Sequence, residues 1–512
     1  MLFNSYAFIF VFVPITLFFY YLARPDRNRD YAMAILILAS IIFYGWWDLR
    51  FLPLLIASTF ANYWVACRVG NRTFSKSLRR VLLAAGIAAN LSVLGYFKYA
   101  NFFIDTAHHL TGARLAEINV ILPLGISFFT FQKIAYLVDV FRNEKQPYNL
   151  VYWCWFVFFF PQLVAGPIVH HAEMAPQYRA RTLGPISENL SIGLTIFILG
   201  LFKKTILADQ SASYADPIFL AAGQGTPLFF IEAWTGALFY SLQIYFDFSG
   251  YSDMAVGLAR MFGFRLPINF DSPYKAKNII EFWRCWHITL SRFIRDYLYI
   301  PLGGNRKGLA RRHVNIMAVM LLGGLWHGPS WTFVAWGGLH GAYLLLNHAW
   351  ARLWDSFGMN VHFPGALARA MTFIAVTVAW VLFRAPDFPV AKTMFAAMAG
   401  QNGVSFPAEW SVLTMDTLAG IRFDGIFGSI DLEDKRWLPG WLLAGLLIVW
   451  FSPNAYQIMA AYNPALETGI RRAAPQKLTW SASAPWAVTV AALAVTAVLS
   501  LSRPSPFIYW MF

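Results

Sequence analysis

Apolar runs recur along almost the whole sequence. They cover Tyr6–Leu22, Ala32–Trp47, Phe51–Ala66, Val81–Phe97, Ile121–Val140, Val151–Val169, Leu190–Leu207 and Pro227–Phe248. Further runs follow at Val314–Trp326, Trp331–Leu346, Ala370–Phe383, Trp437–Phe451 and Pro485–Leu501. Only 13% of the 512 residues are charged, against about 25% in a soluble domain. A chain this poor in charge cannot cover a water-facing surface, and one this apolar cannot stay disordered. A bilayer is the solvent that fits, and a core about 30 Å thick takes helices of about 20 residues, so this length accommodates roughly ten or more spans. Lipid leaves no partner for an open backbone, which restricts spans to helices or closed barrels. Continuous apolar runs select helices, and the expected fold is an all-α polytopic membrane protein.

The charge that is present is uneven. Forty Lys and Arg face 26 Asp and Glu, for a net +14. In a membrane protein that excess belongs to cytoplasmic loops beside anionic headgroups, and no nucleic-acid partner is expected. No basic residue precedes the first run, whereas Arg24, Arg27 and Arg29 follow it. A cleaved signal peptide has the opposite arrangement, so the run reads as a retained span with its N-terminus outside the cytoplasm. The loop holding Arg68, Arg72, Lys76, Arg79 and Arg80 is cytoplasmic by the same rule.

Breaks at Pro123–Gly125 and Pro161–Pro167 require protein or a water-filled passage to satisfy the freed backbone. Two stretches are too polar to span. Asp253–Pro301, still rich in aromatics, suits interfacial or re-entrant helices, and residues 400–436 suit an extramembrane loop. The sequence shows no internal repeat of the kind that builds many transporters. Cys67, Cys154 and Cys285 are scattered and odd in number, which predicts neither a disulfide framework nor a metal site.

Ionisable groups inside a membrane are expensive and mark function by default. His327 ends an apolar run that leaves the basic segment Arg306, Lys307, Arg311, Arg312 and His313. A helix from His313 carries it about 21 Å from that edge. Gly323–Gly324 and Gly328–Pro329 around it are expected to open the backbone to a substrate. His340, 13 residues on, reads as packing or support for His327. On a helix capped by Asn278, with Glu281 three residues later, Trp283, His287 and Ser291 fall on one face. Membrane-interface anchoring explains the tryptophans of that stripe but not its histidine, so both readings of His287 stand. Zinc-protease, phosphate-loop, dinucleotide and nucleophile-elbow motifs are absent. Histidine acid/base chemistry remains, such as taking a proton from a hydroxyl that attacks an acyl carbonyl.

Several motifs at these positions resemble one family. They are Tyr245-Phe246-Asp247-Phe248-Ser249-Gly250-Tyr251-Ser252-Asp253-Met254, Trp283-Arg284-Cys285-Trp286-His287 and Gly324-Leu325-Trp326-His327-Gly328. Lesser matches are Leu122-Pro123-Leu124-Gly125-Ile126-Ser127-Phe128, Asp296-Tyr297-Leu298-Tyr299-Ile300 and Gly303-Gly304-Asn305-Arg306-Lys307-Gly308. The chain resembles the membrane-bound O-acyltransferase family, in the bacterial branch that serves alginate, cellulose and peptidoglycan acetylation. The motif-bearing core spans residues 1–347. Residues 348–512 read as additional transmembrane helices with the 400–436 loop between them.

The resemblance implies a ring of tilted helices around a central funnel in the bacterial inner membrane. It implies His327 as the catalytic histidine and His287 as the second. Acetyl-CoA is the implied cytoplasmic donor, with no tightly bound cofactor. A periplasmic acetyltransferase partner and a polysaccharide acceptor, alginate or cellulose, complete the expectation. Arg284, Arg292, Arg306 and Lys307 are candidates for the CoA phosphates, although positive-inside bias explains them equally well. Trp283, Trp326, Asp247, Asn269 and His340 are candidate cavity supports. The family pattern has a second Arg where this chain has Cys285, which removes one local positive charge. The rival readings are a proton-coupled transporter, a polysaccharide-export component, and a scaffold that only recruits a soluble acetyltransferase.

Overall fold

The computed structural model describes the chain apart from residues 113–115, 144–147, 181–183, 359–362, 407–420, 424, 433–434, 467–477, 503–506 and 509–512. The described residues are helical almost throughout. The one ladder pairs Val404–Ser405 with Ile421–Arg422. Among the described residues, four helices are long and apolar enough to cross a membrane: Leu49–Gly70, Lys76–Thr111, Ile186–Gly223 and Gly365–Arg384. Phe8–Leu22 and Ala484–Leu499 are shorter apolar helices. The protein is an all-α membrane protein.

Contacts divide the chain into two interleaved units. The first holds Met1–Leu201, Tyr251–Asn269 and Ala455–Pro504; the second holds Phe202–Gly250, Phe270–Asn454 and Ser505–Phe512.

In the first unit, the two Pro-interrupted runs show how a broken backbone survives in an apolar setting. Val151–Val169 is not one helix. Leu150–Phe158 stops at Phe159 and restarts as the four-residue turn Phe160–Leu163 around Pro161. A continuous helix would bond the Phe160 N–H to the Phe156 carbonyl. Instead, Phe160 N–H donates to Ser40 Oγ at 3.1 Å, and the Phe156 carbonyl accepts the side-chain amides of Gln132 and Gln162, each at 2.7 Å. Polar side chains from other elements thus satisfy the freed groups. The run from Ile121 becomes helical only at Ile126. Gly125 before it has φ +69° and lies so close to that turn that a Cβ would sit 2.9 Å from the Leu163 carbonyl oxygen.

The second unit is organised by a hairpin of two helices, Gly308–His327 and Trp331–Ser356. A Cβ on Gly324 would lie 2.2 Å from the Phe333 carbonyl oxygen, and one on Gly337 would lie 2.2 Å from that of Met320. Backbone-to-backbone approach through small residues is how helices associate where no hydrophobic force separates helix from lipid. Gly324 therefore closes the hairpin and does not open it for a substrate, contrary to the expectation from sequence. Gly323 is different, since a Cβ there would meet only Ile294 Cδ1 at 3.7 Å. Gly324→Ala is expected to destabilise the protein by about 1–3 kcal/mol through overpacking. Gly323→Ala is expected to be near neutral. Thermal unfolding of the two variants in detergent checks the contrast, and equal midpoints would refute it.

Phe230–Met261 is a single 32-residue helix. The polar stretch expected from Asp253 thus begins inside a long helix. The short helices Ile279–Cys285 and Ile288–Ile294 come only after the chain has left it. Of the expected 400–436 loop, the described part holds the short ladder and turns. There the Glu232 carboxylate accepts the N–H groups of Phe229 and Ser429 at 2.7 and 2.9 Å.

Candidate active site

His327 is the last residue of the Gly308–His327 helix and is buried. The helix stops because Gly328 turns fully extended (φ −161°) and Pro329 follows. Ser330 then caps the next helix, its Oγ accepting Thr332 N–H at 3.3 Å. Three rings surround the imidazole at the break: Trp326, Trp336 and Phe383, with centroids 4.9, 5.1 and 5.2 Å away.

The cluster extends to both other histidines. His287 packs edge-on to Phe248 at 4.7 Å and faces Trp326 at 6.1 Å. His340 lies 4.9 Å from Trp336 and 5.1 Å from Trp283. Trp326 is thus the ring between His287 and His327, and Trp336 is the ring between His327 and His340. His340 is fully buried, and neither ring nitrogen has a hydrogen-bond partner among the described residues. The Nε1 atoms of Trp283 and Trp336 are buried and unpaired in the same way. This is a buried aromatic chamber that offers several unspent polar atoms.

His287 reaches the cluster by a route the sequence did not reveal. Asn278 caps the first helix as expected, its side chain accepting Glu281 N–H at 2.9 Å. The helix then ends at Cys285, and His287 adopts a left-handed conformation (φ 43°, ψ 53°) before Ile288–Ile294 begins. Trp283, His287 and Ser291 therefore do not share one helical face. Non-glycine residues in that region are strained by about 1–3 kcal/mol and concentrate at functional sites. Burial holds the His287 imidazole well below the usual histidine range, in the neutral form. Cys285 is buried, and its carbonyl accepts Asp271 N–H at 3.0 Å.

Asp247 does not stand alone. Its Oδ1 pairs with Lys204 Nζ at 2.5 Å, and Lys204 also reaches Asp209 Oδ1 at 3.1 Å. Asp247 Oδ2 accepts the Ile508 backbone N–H at 3.0 Å. Lys204 lies in the π-helical turn Lys203–Ala208, inside the candidate span Ile186–Gly223. Sequence reasoning missed it because 43 residues separate it from its partner. An intramembrane lysine was the available signal. Asn269 belongs to the first unit, where its side-chain amide donates to Ser252 Oγ at 3.3 Å. Arg284, Arg306 and Lys307 are exposed and Arg292 is half-buried. Also missed were Trp336, Trp380 and Phe383, whose places in the cluster depend on helix packing alone. No group of three or more His, Cys, Asp or Glu residues able to hold a metal occurs among the described residues.

The chain is thus a helical membrane protein with three histidines gathered in a buried aromatic chamber. The membrane-bound O-acyltransferase family matches residues 78–385, and the chain belongs to that family. It is therefore an acyltransferase. It is 43% identical over 432 residues to the peptidoglycan O-acetyltransferase of Helicobacter pylori, covering 79% of this chain and 81% of that one. It is 38% identical over 541 residues to the "Probable alginate O-acetylase AlgI" of Azotobacter vinelandii, covering both chains in full. The teichoic acid D-alanyltransferase of Streptococcus thermophilus is 29% identical over 238 residues, which is 45% of this chain and 57% of that one.

Proposed function

We propose that the protein is an inner-membrane O-acetyltransferase that takes acetyl groups from a cytoplasmic thioester, acetyl-CoA, for O-acetylation of an extracytoplasmic polysaccharide. The observation that carries the reading is the position of His327. It is buried among aromatic rings at one end of a 20-residue helix whose other end carries Arg311, Arg312 and His313. Such a helix is about 28 Å long, which sets the basic end well apart from the histidine. In the reaction, the His327 imidazole takes the proton of an acceptor hydroxyl. The hydroxyl oxygen bonds to the acyl carbon, the carbon–sulfur bond breaks, and the thiolate leaves with the proton.

His287 holds the thioester or acts as a second acid/base group. Arg284, Arg292, Arg306 and Lys307 attract the CoA phosphates. A periplasmic partner works beside the protein, and the N-terminus faces the periplasm. Alginate is the leading polymer, because the Azotobacter relative aligns over its whole length; peptidoglycan follows from the Helicobacter relative, and cellulose from the motifs.

The test is the O-acetyl content of secreted polysaccharide in a strain lacking the protein, with and without complementation. Loss of acetyl groups with normal polymer secretion is the expected result. Loss of secretion would replace this reading with transport or export.

A further inference from the structure

The first unit carries two adjoining cavities that share Tyr21 in their walls. One, of about 500 Å³, is an apolar groove along the helix Val13–Leu22. Pro14, Leu17, Phe18 and Tyr21 line it together with Leu190 of the helix Ile186–Phe202. The four residues of the first helix recur at spacings of three and four, so they form one face about 10 Å long. The other cavity, of about 650 Å³, lies where that helix ends and is lined by Tyr21, Arg24, Asp26, Arg27 and the buried Asn189. Tyr21 Oη donates to the Met261 carbonyl at 2.5 Å, which holds the ring between the two cavities. A tight turn brings both arginines to the second one. Arg24 has φ 51°, a conformation that glycine adopts with less strain, and its carbonyl accepts the N–H groups of Arg27 and Asn28, each at 2.9 Å. Arg29 and Arg260 are already matched: Arg29 donates to the carbonyls of Gln177 and Tyr178 at 2.7 and 3.1 Å, and Arg260 pairs with Glu188 at 3.2 Å. Arg24 and Arg27 have no such partner among the described residues, and with Asp26 as the one acid in the wall the pocket keeps an excess of positive charge. Along the helix, hydrocarbon comes first and free cations follow. A phospholipid has the same order, acyl chain and then phosphate, and basic pockets between membrane helices bind anionic headgroups. A soluble anion would fill the charged pocket and leave the groove bare.

We propose that the two cavities form one binding site for an anionic glycerophospholipid, its phosphate between Arg24 and Arg27 and an acyl chain along the face Pro14, Leu17, Phe18 and Tyr21. The inference does not depend on the reading of His327 as a base. Because the groove takes in Leu190 as well as the first helix, the bound lipid ties Val13–Leu22 to Ile186–Phe202. A ligand that binds only the folded protein stabilises it, so occupancy is readable as resistance to unfolding.

The experiment uses the full-length protein in a neutral detergent, with dioleoyl phosphatidylglycerol as the probe and thermal unfolding as the readout. Phosphatidylglycerol is expected to raise the midpoint saturably, and to do so more than phosphatidylcholine with the same chains. In the double variant Arg24→Gln with Arg27→Gln, half-saturation should move to roughly 10- to 30-fold more lipid, the worth of two basic residues at a headgroup. Both side chains are exposed, so without lipid the variant should unfold where wild type does. Lys76→Gln with Arg80→Gln removes two exposed charges from another basic segment and should leave the titration unchanged. An equal loss in that control means diffuse attraction to any basic surface and overturns the inference. So does an unshifted titration in the Arg24 and Arg27 variant, or phosphatidylcholine that works as well as phosphatidylglycerol. Inorganic phosphate and CoA are the last comparison. If either raises the midpoint as far as the lipid does, and loses that effect with Arg24 and Arg27, the pocket belongs to a soluble anion and the lipid site falls.

Discussion

Replacing His327 by alanine is expected to lower acetyl transfer by about 10²- to 10⁴-fold, the usual worth of a positioned general base. The substitution also removes a ring packed against Trp326, Trp336 and Phe383, so lost activity alone would not separate chemistry from folding. His327→Gln answers this, because it keeps a polar side chain of similar bulk while removing the titratable nitrogen. Both variants should reach wild-type membrane levels with at most a modest fall in thermal midpoint, and both should lose transfer. Acetyl transfer from labelled acetyl-CoA in matched membranes is the measurement. Normal transfer by a folded His327→Gln protein would remove the base assignment and favour the scaffold reading. His340→Phe gives the companion comparison. His340 packs among Phe282, Trp283, Trp336 and Tyr343 and is separated from His327 by the Trp336 ring, so its loss should cost far less activity than the loss of His327.

The second large effect concerns stability. Lys204→Met is expected to destabilise the protein by about 3–5 kcal/mol, because it leaves the Asp247 carboxylate buried with its main counter-charge gone. The side chains of the pair are 4% and 1% exposed and 2.5 Å apart, so solvent cannot compensate. Asp209 does not replace the lost cation; it adds a second carboxylate nearby. The double variant Lys204→Met with Asp247→Asn should recover most of the loss, since a neutral amide needs no counter-ion and can still accept the Ile508 N–H. Accumulation in membranes and thermal unfolding in detergent would show both effects. A single variant as stable as wild type would mean that the ion pair contributes nothing to folding.

The route to these groups was legible in uneven measure. Asn278 was readable as a helix start because a cap acts within three residues, and it is one. His287 was placed on a continuous helical stripe, yet the chain turns left-handed there. Helical periodicity reports which positions share a face only while the helix lasts. This one ends at Cys285, with Phe282, Cys285 and Trp286 all buried. Gly323 and Gly324 look alike in the sequence. Only the partner helix makes one of them obligatory, by bringing the Phe333 carbonyl into the space of a side chain.

The sequence by itself determined that this is a helical membrane protein, and through its motifs that it is an acyltransferase. Low charge and long apolar runs are properties of composition and local order, and a bilayer reads them directly. The tertiary structure alone decided which histidines share a chamber and which lysine answers Asp247. Desolvation makes each of those outcomes matter, and desolvation depends on what is packed alongside. Lys204 and Asp247 are 43 residues apart in the chain and 2.5 Å apart in the fold; no local pattern in either segment encodes that distance.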